Sequence, residues 1–433
     1  MPQPEAPAEI AVRDAGTAPD EWLCLRLLQE AQTGCWFDRR ATAGWSLLMV
    51  DPWRVVRGID GVWEAMGAVP GARPPGPQGF AGGWAGWLSY EGAVTALGLP
   101  RPAAGGWPTA VLGYYPACLA IDHRRGRARI VGRGPAGADA AHAWLERLAR
   151  ARSSRGHRAP RVALPGPLRA TGPGRDEVCA QVREVQRWIR AGDVYVANLT
   201  YRIRVDGPLP PLRAYPALAA AQRAPYAALL RDGAHWVLSC SPELLLRRRG
   251  LHTWTRPIKG TRPAGDGADA ALSADAKERA ELTMIVDLER NDLGRVARVG
   301  SVRVHDLFSV QAHPGLQHLW ATVAAEVPAP AGAVLRAMLP GGSVTGAPKR
   351  SAVEHLARLE ADARGVYTGT LGYCDDGGDM EWNVAIRTLQ VGPGTSLYGT
   401  GGGITADSDP AREYAETRLK ARGPLRALGV PWE

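Results

Sequence analysis

The sequence predicts an α+β fold with large, mostly antiparallel β-sheets, and two observations support this prediction. Long runs of alternating apolar residues, such as 194–205 and 236–246, have the period of strands. These runs are joined partly by hairpin-like turns and partly by helical segments, unlike the regular strand–helix repeat of parallel sheets. At 433 residues the chain exceeds the usual size of a single core, so two domains or one large intertwined domain is expected.

The N-terminal part of the chain, residues 1–150, is predicted to be a sheet-rich region with one helix at 138–150. Residues 151–174 are rich in Arg, Pro, Gly and Ser and form the predicted linker. The strands of the N-terminal region are predicted from apolar runs at residues 45–50, 82–90 and 110–121.

Residues 175–433 form the predicted C-terminal region, where the signals are stronger. Val178, Val182 and Val185 recur at helical spacing, and Gly192 follows as a stop signal. Further helices are predicted at about 273–290, after Gly346 and from Asp409–Pro410 onward, and further strands at 365–374 and 383–391.

Composition and charge argue against several classes of function. The net charge is +9, but the basic residues are scattered, without an aromatic-interleaved stripe, so a solvated arginine-rich surface is expected rather than a nucleic-acid interface. The six cysteines are widely spread with no C-x-x-C pair, which argues against a zinc site or disulfide framework and favours a cytoplasmic location. No signal peptide is recognised, and no apolar run approaches the roughly 20 residues that span a bilayer.

Two predicted helices carry acidic faces. Glu278 and Glu281 are three residues apart on one helix, and Glu413, Glu416 and Lys420 share a face of the last helix. If the two faces met across a pocket, their carboxylates would suit Mg²⁺, which takes one or two carboxylates and completes its shell with substrate and water. Spacing alone leaves the alternative open that both faces are solvated and that Glu416 and Lys420 form a surface ion pair.

Two glycine-containing segments are candidate anion-binding loops. The segment 398–404, which includes Gly401 and Gly402, would let backbone N–H groups approach an anionic ligand, although a tight turn explains it equally well. The segment 339–349 resembles a phosphate-binding loop, but Ala347 and Pro348 separate its last glycine from the lysine, so no ATP site is predicted. Thr345 and the helix start that follows it remain a candidate carboxylate cradle.

Seven segments, taken together and in order, resemble the chorismate-utilising family, which includes anthranilate, aminodeoxychorismate, isochorismate and salicylate synthases. The family implies two large, mostly antiparallel sheets packed together with flanking helices, and makes residues 175–433 the chorismate-binding catalytic region. The N-terminal half matches weakly, mainly at residues 82–90. The matching segments are PIKGTR at 257–262, ELTMIVDLERND at 281–292, QHL at 317–319, SVTGAPK at 343–349, GVYTGTLGY at 365–373, NVAIRTL at 383–389 and residues 399–420.

The resemblance implies a role for each candidate residue. The Mg²⁺ ligands would be Glu281 and Glu416, with Glu278 and Glu413 lining the site. Glu243 would be the acid that protonates the departing C4 hydroxyl, which requires a proton near neutral pH that burial would favour. The positions that match substrate-binding or pocket-lining residues are His318, Thr345, Tyr367, Arg387, Gly401, Gly402 and Lys420; a structural role for His318 is the alternative.

Two positions distinguish the reactions within the family. Isochorismate and salicylate synthases are expected to carry a water-activating lysine where this chain has Val196, so water addition is disfavoured. Lys259 stands where anthranilate synthases typically have alanine and aminodeoxychorismate synthases have lysine, and it resembles a covalent nucleophile. The resemblance therefore favours the aminodeoxychorismate synthase branch, in which ammonia replaces the C4 hydroxyl of chorismate on the way to para-aminobenzoate. It leaves open whether the product feeds folate synthesis or a specialised antibiotic pathway.

The chain has no G-x-C-x-G elbow, so a separate glutamine amidotransferase subunit is expected to deliver ammonia. The alternatives are an anthranilate synthase large subunit or a 2-amino-2-deoxyisochorismate synthase, both of which Lys259 disfavours. A catalytically inactive binding subunit is the alternative from another class of function.

Overall fold

The computed structural model describes residues 9–67, 79–100, 102–103, 105–153, 168–263, 272–313 and 316–432. Within these residues the helices are α1 (Glu21–Glu30), α2 (Ile59–Gly67), α3 (Tyr90–Val94), α4 (Gly134–Ser153), α5 (Arg175–Ala191), α6 (Pro211–Gln222), α7 (Ala276–Gly294), α8 (Ala331–Met338), α9 (Lys349–Leu359) and α10 (Pro410–Ala427). None of them is long and apolar enough to cross a membrane.

The strands up to residue 250 are β1 (Ile10–Thr17), β2 (Thr33–Asp38), β3 (Trp45–Val50), β4 (Arg54–Arg57), β5 (Gly83–Leu88), β6 (Ala110–Tyr115), β7 (Ala117–Asp122), β8 (Arg127–Arg133), β9 (Arg169–Thr171), β10 (Val196–Asp206), β11 (Tyr226–Asp232), β12 (His235–Ser241) and β13 (Leu244–Arg249). The later strands are β14 (His252–Arg256), β15 (Ile258–Pro263), β16 (Arg303–His313), β17 (Leu316–Glu326), β18 (Gly346–Ala347), β19 (Thr370–Asp375), β20 (Met380–Val384), β21 (Thr388–Gly392) and β22 (Thr395–Ile404).

The strands form two large antiparallel sheets, as the predicted α+β class requires. The first sheet has the order β1-β8-β7-β3-β2-β11-β12-β21-β22-β10-β18, with β9 also paired to β10. The second has the order β15-β17-β14-β13-β20-β19-β5-β6-β4, with β16 also paired to β17. Strands from both the N-terminal and the C-terminal region therefore lie in each sheet.

Three apolar layers hold the sheets and helices together. The layer between the sheets contains residues of both, among them Phe37, Trp87, Tyr115, Val237 and Leu371. A second layer joins the outer face of the first sheet to α1, α4, α5, α6 and α10, and a third joins the second sheet to α2, α7 and α8. The molecule is thus layered helix, sheet, sheet, helix, and burial of these apolar faces is its main source of stability.

Three apolar runs, of which the sequence predicts 236–246 and 383–391 as single strands, are each two strands in different sheets. The run 110–121 divides into β6 and β7 around Pro116, and the run 236–246 divides into β12 and β13 around Pro242. The run 383–391 divides into β20 and β21, and Arg387 between them has a positive φ of 54°. Those single-strand predictions were wrong because the chain keeps its apolar alternation while it passes from one sheet to the other. Proline, which has no N–H to donate to a strand ladder, marks two of the three crossings.

Most of the other predicted elements are confirmed with small shifts in their ends. The strand predicted at 365–374 begins only at Thr370, because residues 365–368 form a turn in which Gly365 and Thr368 have positive φ. Helix α5 ends where Gly192 adopts a left-handed conformation, and α10 begins behind an Asp409 cap. The helix expected at 273–290 is α7, which begins after Asp275 and ends at Gly294. Pro348 precedes α9 rather than occupying its first turn. Of the predicted linker 151–174, residues 154–167 lie outside the described residues.

The glycine-rich segment at 398–404 is a strand and not a turn. It forms the second half of β22 and pairs with β10 from Tyr398 to Ile404. Its pairing with β21 on the opposite edge ends at Tyr398, so from Gly399 onward that edge pairs with none of the strands described above. This free edge faces α10, and the carbonyl oxygen of Gly401 accepts a hydrogen bond from Lys420 there.

Candidate active site

The candidate nucleophile Lys259 reaches from the second sheet toward the first. It lies on β15, next to Gly260, which has a positive φ of 63° and interrupts the register with β17. A Cβ placed on Gly403 of β22 would lie 3.8 Å from Lys259 Nζ and 3.7 Å from Cγ2 of Val196. The lysine amine therefore lies at the meeting of the two sheets, with a buried valine beside it where a water-activating lysine would otherwise stand.

Glu243 lies at the crossing between β12 and β13, directly after Pro242. The residue is only 3% exposed, and within the part of the chain that the structure describes its Oε1 has no hydrogen-bond partner. Burial raises the pKa of Glu243 to about 7, against the opposing effects of Ser343, the Lys259 ammonium and the Ile258 amide. A carboxyl group with this pKa holds its proton near neutral pH, which is what a general acid requires.

The predicted acidic face of α7 meets β15 at Gly260. Asp275 caps the helix by accepting from the amides of Lys277 and Glu278, which orients the first turn. A Cβ on Gly260 would lie 3.1 Å from Glu278 Oε2 and 2.8 Å from Leu272 Cδ1, and the positive φ of Gly260 also disfavours a side chain there. Burial raises the pKa of Glu278, and the nearby carboxylates of Glu281 and Asp275 raise it further.

The acidic face of α10 lies opposite. Glu413 is buried and accepts a 2.7 Å hydrogen bond from the Ser408 hydroxyl, and burial raises its pKa. Glu416 forms a 2.9 Å ion pair with Lys420, whose charge lowers the pKa of the glutamate. Lys420 Nζ also donates to the Gly401 carbonyl at 3.0 Å, which ties α10 to β22. The ion pair between Glu416 and Lys420 that the sequence analysis considered is therefore present, and it belongs to the group of charged side chains on α7 and α10.

Lys277 joins the two acidic faces. Its Nζ lies 3.8 Å from Glu281 and 3.9 Å from Glu413, so one ammonium group contacts a carboxylate on each helix. Burial lowers the pKa of Lys277, but the surrounding glutamates outweigh this effect and raise it overall. The sequence analysis missed this residue, although its i, i+4 spacing to Glu281 was visible.

The carboxylates on α7 and α10 are candidate ligands for Mg²⁺. Among the residues that the structure describes, no three or more His, Cys, Asp or Glu side chains are grouped as metal ligands. The donors are nevertheless carboxylate oxygens on two facing helices, and Mg²⁺ needs only one or two of them beside substrate and water. The donor chemistry therefore fits, with Glu281 and Glu416 as the residues that would hold the ion.

The predicted carboxylate-binding residues lie around the free edge of β22. Arg387, at the crossing between β20 and β21, donates from Nη1 to the backbone carbonyl of Lys420 at 3.1 Å. A Cβ on Gly402 would lie 3.4 Å from Glu413 and 3.8 Å from Lys420 Nζ. The ring of Tyr367 is buried against Gly399, where a Cβ would overlap it. Arg387, Lys420 and Tyr367 therefore all lie next to the glycine-rich half of β22 or to α10 beside it.

Thr345 and His318 are engaged in local hydrogen bonds. The Thr345 hydroxyl donates to the Gly341 carbonyl at 2.9 Å within its own loop, and the residue is fully buried. Nδ1 of His318 lies 3.2 Å from the Gly260 carbonyl oxygen, and β17, which carries the histidine, pairs with β15. The geometry supports the structural alternative for His318, because the histidine stabilises the turn that follows Lys259.

A further buried carboxyl group lies close to Glu243, and the sequence analysis did not single it out. Glu289 of α7 is 2% exposed and accepts a hydrogen bond from the Thr255 hydroxyl. Burial raises its pKa to about 8, and the charge of Glu243 contributes to the rise. No spacing rule signals this residue, because the contact depends on how α7 packs over the second sheet.

Comparison with known proteins identifies the family. A family model described as chorismate binding enzyme matches residues 49–426, which includes most of the N-terminal region as well as the segments around the site. The chain belongs to the family of chorismate-binding enzymes.

This chorismate-binding enzyme has several similar relatives. It is 39% identical over 376 residues to aminodeoxychorismate synthase of Streptomyces pristinaespiralis, a match that covers 81% of the chain and 51% of that protein. It is 37% identical over 379 residues to aminodeoxychorismate synthase component 1 of Salmonella typhimurium, covering 83% and 80%. Anthranilate synthase component 1 of Haloferax volcanii is 36% identical over 378 residues, covering 81% and 71%. The chain spans about half the length of the two Streptomyces relatives.

Solved structures share the fold of this chorismate-binding enzyme. Anthranilate synthase component I from Streptococcus pneumoniae superposes with a TM-score of 0.77 at 25% identity, covering 88% of the chain and 92% of that structure. The menaquinone-specific isochorismate synthase of Escherichia coli has a TM-score of 0.75 at 20% identity, covering 98% and 96%. The prediction of two packed antiparallel sheets with flanking helices is confirmed.

Proposed function

We propose that the chain is an aminodeoxychorismate synthase, which replaces the C4 hydroxyl of chorismate with ammonia. The observation that carries the proposal is the position of Lys259, at the meeting of the two sheets and close enough to Glu243 for its charge to act on the carboxyl pKa. The relatives named aminodeoxychorismate synthase support the same reaction.

The reaction divides into two displacements. The Lys259 amine forms a bond to C2 while the ring double bonds shift and the C4 hydroxyl leaves as water, with the proton supplied by Glu243. Ammonia then forms a bond to C4, the double bonds shift back, and the C2–nitrogen bond to Lys259 breaks. The products are 4-amino-4-deoxychorismate and water. Covalent catalysis of this kind replaces one difficult step by two easier ones.

Substrate binding is assigned to the cationic groups around β22. Arg387 and Lys420 supply positive charge for the substrate carboxylates, and the planar guanidinium of Arg387 suits a bidentate pair. Tyr367 supplies a hydroxyl, and the amides near Gly401 lie at the free strand edge. Mg²⁺, held by Glu281 and Glu416 with Glu278 and Glu413 beside them, would supply a positive charge for the ring carboxylate.

We propose that a glutamine amidotransferase partner supplies the ammonia. The name component 1 of the Salmonella relative indicates that that protein works with another component. All six cysteines of the present chain are buried and outside disulfides, and burial raises the pKa of five of them, which is unsuited to a glutaminase nucleophile. The same cysteine pattern supports a reducing, cytoplasmic location.

Anthranilate synthase component I is the second candidate. The relative from Haloferax volcanii, at 36% identity, and the structure from Streptococcus pneumoniae favour it. Lys259 favours amination at C4 instead, because an anthranilate synthase adds nitrogen at C2, the carbon that Lys259 would occupy. A 2-amino-2-deoxyisochorismate synthase is disfavoured for the same reason.

Product identification tests the proposal. The protein is incubated with chorismate, Mg²⁺ and ammonium, and the product is separated by chromatography and identified by mass and fluorescence. We expect 4-amino-4-deoxychorismate, its loss when Mg²⁺ is removed by a chelator, and no product from glutamine in place of ammonium. A fluorescent anthranilate product would contradict the proposal.

A matched pair of variants tests the role of Lys259. Lys259→Met keeps the length of the side chain and removes the amine, so we expect loss of product formation. Arg290→Met removes one positive charge from α7, where Arg290 is half-exposed and paired with Asp287. We expect this control to retain full activity; equal activity in both variants would exclude Lys259 as the nucleophile.

A further inference from the structure

Arg202 is a buried cation without a carboxylate partner. It lies on β10, is 5% exposed, and donates from Nε to the Ala363 carbonyl at 3.1 Å and from Nη1 to the Tyr201 carbonyl at 3.0 Å. Among the residues that the structure describes, no carboxylate lies within ion-pair distance of it. Burial lowers the pKa of Arg202. A buried charge without an ion-pair partner costs free energy, so the position of Arg202 needs an explanation.

The nearest carboxylate is already engaged. Both oxygens of Glu360 accept hydrogen bonds from Arg364, at 2.7 Å each, and Oε1 also accepts from the amide and hydroxyl of Thr200 at 2.9 Å. Glu360 is thereby fully satisfied by groups other than Arg202. The guanidinium of Arg202 is left with backbone carbonyls and a weak 3.5 Å contact to the Thr200 hydroxyl.

The flat face of Arg202 instead covers an aromatic ring. The guanidinium carbon lies 4.8 Å from the ring centroid of Tyr367, within the range of a cation–π contact. Arg202 is paired directly across the strands with Gly399, so their side-chain positions share one face of the sheet. The ring fills the space that a side chain on Gly399 would take. Arg202, Tyr367 and Gly399 therefore form one stack.

We propose that Arg202 is a positioning residue that holds the Tyr367 ring over Gly399 and strengthens its hydroxyl as a hydrogen-bond donor to a substrate carboxylate. The proposal rests on the proposed function, since that function places Tyr367 against the substrate. Arg202 itself does not touch the substrate; it acts through the ring. The positive charge of Arg202 also lowers the pKa of Tyr367 against the larger effect of burial, which is the direction that makes a phenol a better donor.

Arg248 provides a matched control. It is also buried, at 2% exposure, and it donates to the carbonyls of Gly250 and Ala329 at 2.7 and 2.8 Å. Burial lowers the pKa of Arg248 as it does that of Arg202. It lies on β13 of the second sheet, at the end away from Glu243. Its loss removes a buried arginine without removing a stack on Tyr367.

The test combines a probe on Tyr367 with kinetics. 3-Fluorotyrosine is placed at position 367, and its pKa is followed by fluorine NMR in the wild-type, Arg202→Met, Arg202→Lys and Arg248→Met backgrounds. We expect Arg202→Met to raise the pKa of the fluorotyrosine and to raise KM for chorismate roughly three- to tenfold with kcat nearly unchanged. Arg202→Lys keeps the charge, so the pKa of the fluorotyrosine should stay close to its wild-type value. Arg248→Met should alter neither this pKa nor KM for chorismate.

The outcomes separate this proposal from the proposed function. An unchanged pKa and KM in folded Arg202→Met protein overturns the role of Arg202. If Arg202→Met does not fold, Arg202→Gln, which removes the charge but keeps a hydrogen-bond donor, is combined with Tyr367→Phe: full additivity of their effects on KM overturns the proposal, and loss of the Arg202→Gln effect in the Tyr367→Phe background supports it. If the pKa moves as expected but no chorismate is consumed, the positioning of Tyr367 stands and the proposed function fails.

Discussion

At the residue scale, two buried carboxyl groups lie on either side of one backbone turn. Glu243 lies beside Ser343, and Cγ of Glu289 would lie 3.7 Å from a Cβ on the preceding Gly342. Their pKa values of about 7 and about 8 mean that both groups hold protons at or just below neutral pH. The energetic cause is the same, since each charge would have to exist away from water. Only Glu243 also lies close to Lys259.

The acid role of Glu243 predicts a pH dependence. Because Glu243 must be protonated to assist departure of the C4 hydroxyl, kcat/KM should fall as pH rises through about 7. Glu243→Gln cannot give up a proton and should lower kcat by about 10²- to 10⁴-fold. Steady-state kinetics between pH 5.5 and 9 measure both effects. A variant with wild-type kcat would remove Glu243 from the mechanism.

Glu289 predicts a pH-dependent stability. Its folded pKa of about 8 lies above the ordinary value of 4.5, so between these values the folded state binds a proton that the unfolded state has released. The stabilisation that this proton contributes to the folded state is complete below about pH 4.5, and it is lost as the pH rises through about 8. Glu289→Gln has no carboxyl group to ionise, so the variant should not lose this stability as the pH rises. Its free energy of unfolding in urea should match that of the wild type near pH 5 and exceed it by roughly 1–3 kcal/mol at pH 9.

The control for this comparison is Glu146→Gln, on the exposed surface of α4. It should leave the free energy of unfolding within about 0.5 kcal/mol of wild type at both pH values. A Glu289→Gln variant that gains no stability at pH 9 would show that Glu289 is not held protonated by burial.

Sequence reasoning finds some residues of the site and misses others for a physical reason. Lys259 was found because it belongs to one of the seven ordered segments, and Glu243 because its position matches the acid of the same family. Glu289 and Arg202 were missed because their environments depend on partners far along the chain, such as Thr255 and Tyr367. A spacing rule applies within one helix or strand, and it has no access to contacts that packing creates.

At the element scale, the points where the chain crosses between sheets carry chemistry. Glu243 follows Pro242 at one crossing, and Arg387 lies at another with a positive φ. The alternating pattern predicts that each run is extended, which is correct, but alternation is the same in either sheet. Pro116 and Pro242 were visible signals of a break. The crossing at Arg387 has no comparable signal in the sequence.

The glycines of β22 show how one element shapes the pocket. The sequence could not decide between a turn and a ligand loop, and the structure has a strand whose missing side chains admit Tyr367, Glu413 and Lys259. The need for glycine differs along the strand. It is strict at Gly399, where a Cβ would overlap the Tyr367 ring, and weaker at Gly403, where the nearest atoms lie 3.7 and 3.8 Å away.

This difference predicts the effects of two equivalent substitutions. Gly399→Ala should displace the Tyr367 ring, destabilise the protein by roughly 1–3 kcal/mol and raise KM for chorismate. Gly403→Ala should be close to neutral in stability, because a methyl group there makes ordinary contacts. Thermal unfolding and steady-state kinetics of the two variants provide the comparison. Equal stability of both would contradict the stacked arrangement of Tyr367 on Gly399.

At the scale of the whole molecule, the N-terminal and C-terminal regions share their sheets. β2 pairs with β11 in the first sheet, and β5 pairs with β19 in the second. A buried ion pair at 2.8 Å joins Arg133 of β8 to Asp375 of β19. The layer between the sheets takes apolar side chains from both regions. The candidate active site lies where these shared sheets meet.

Shared sheets predict shared unfolding. Thermal unfolding followed by tryptophan fluorescence and by far-ultraviolet circular dichroism should give one coincident transition. A fragment of residues 175–433 would expose the paired edges of β11 and β19 together with the apolar layer, so we expect it not to fold alone. Two separated transitions, or a folded and monomeric fragment, would contradict the account.

The most direct test of the central claim is to trap the covalent intermediate on Lys259. The protein is incubated with chorismate and Mg²⁺ in the absence of any ammonia source, quenched, digested and examined by mass spectrometry. We predict a peptide containing Lys259 that has gained the mass of chorismate less one water, and disappearance of this adduct when ammonium is added before the quench. An unmodified Lys259 peptide under these conditions, with amination still proceeding once ammonium is supplied, would contradict the account.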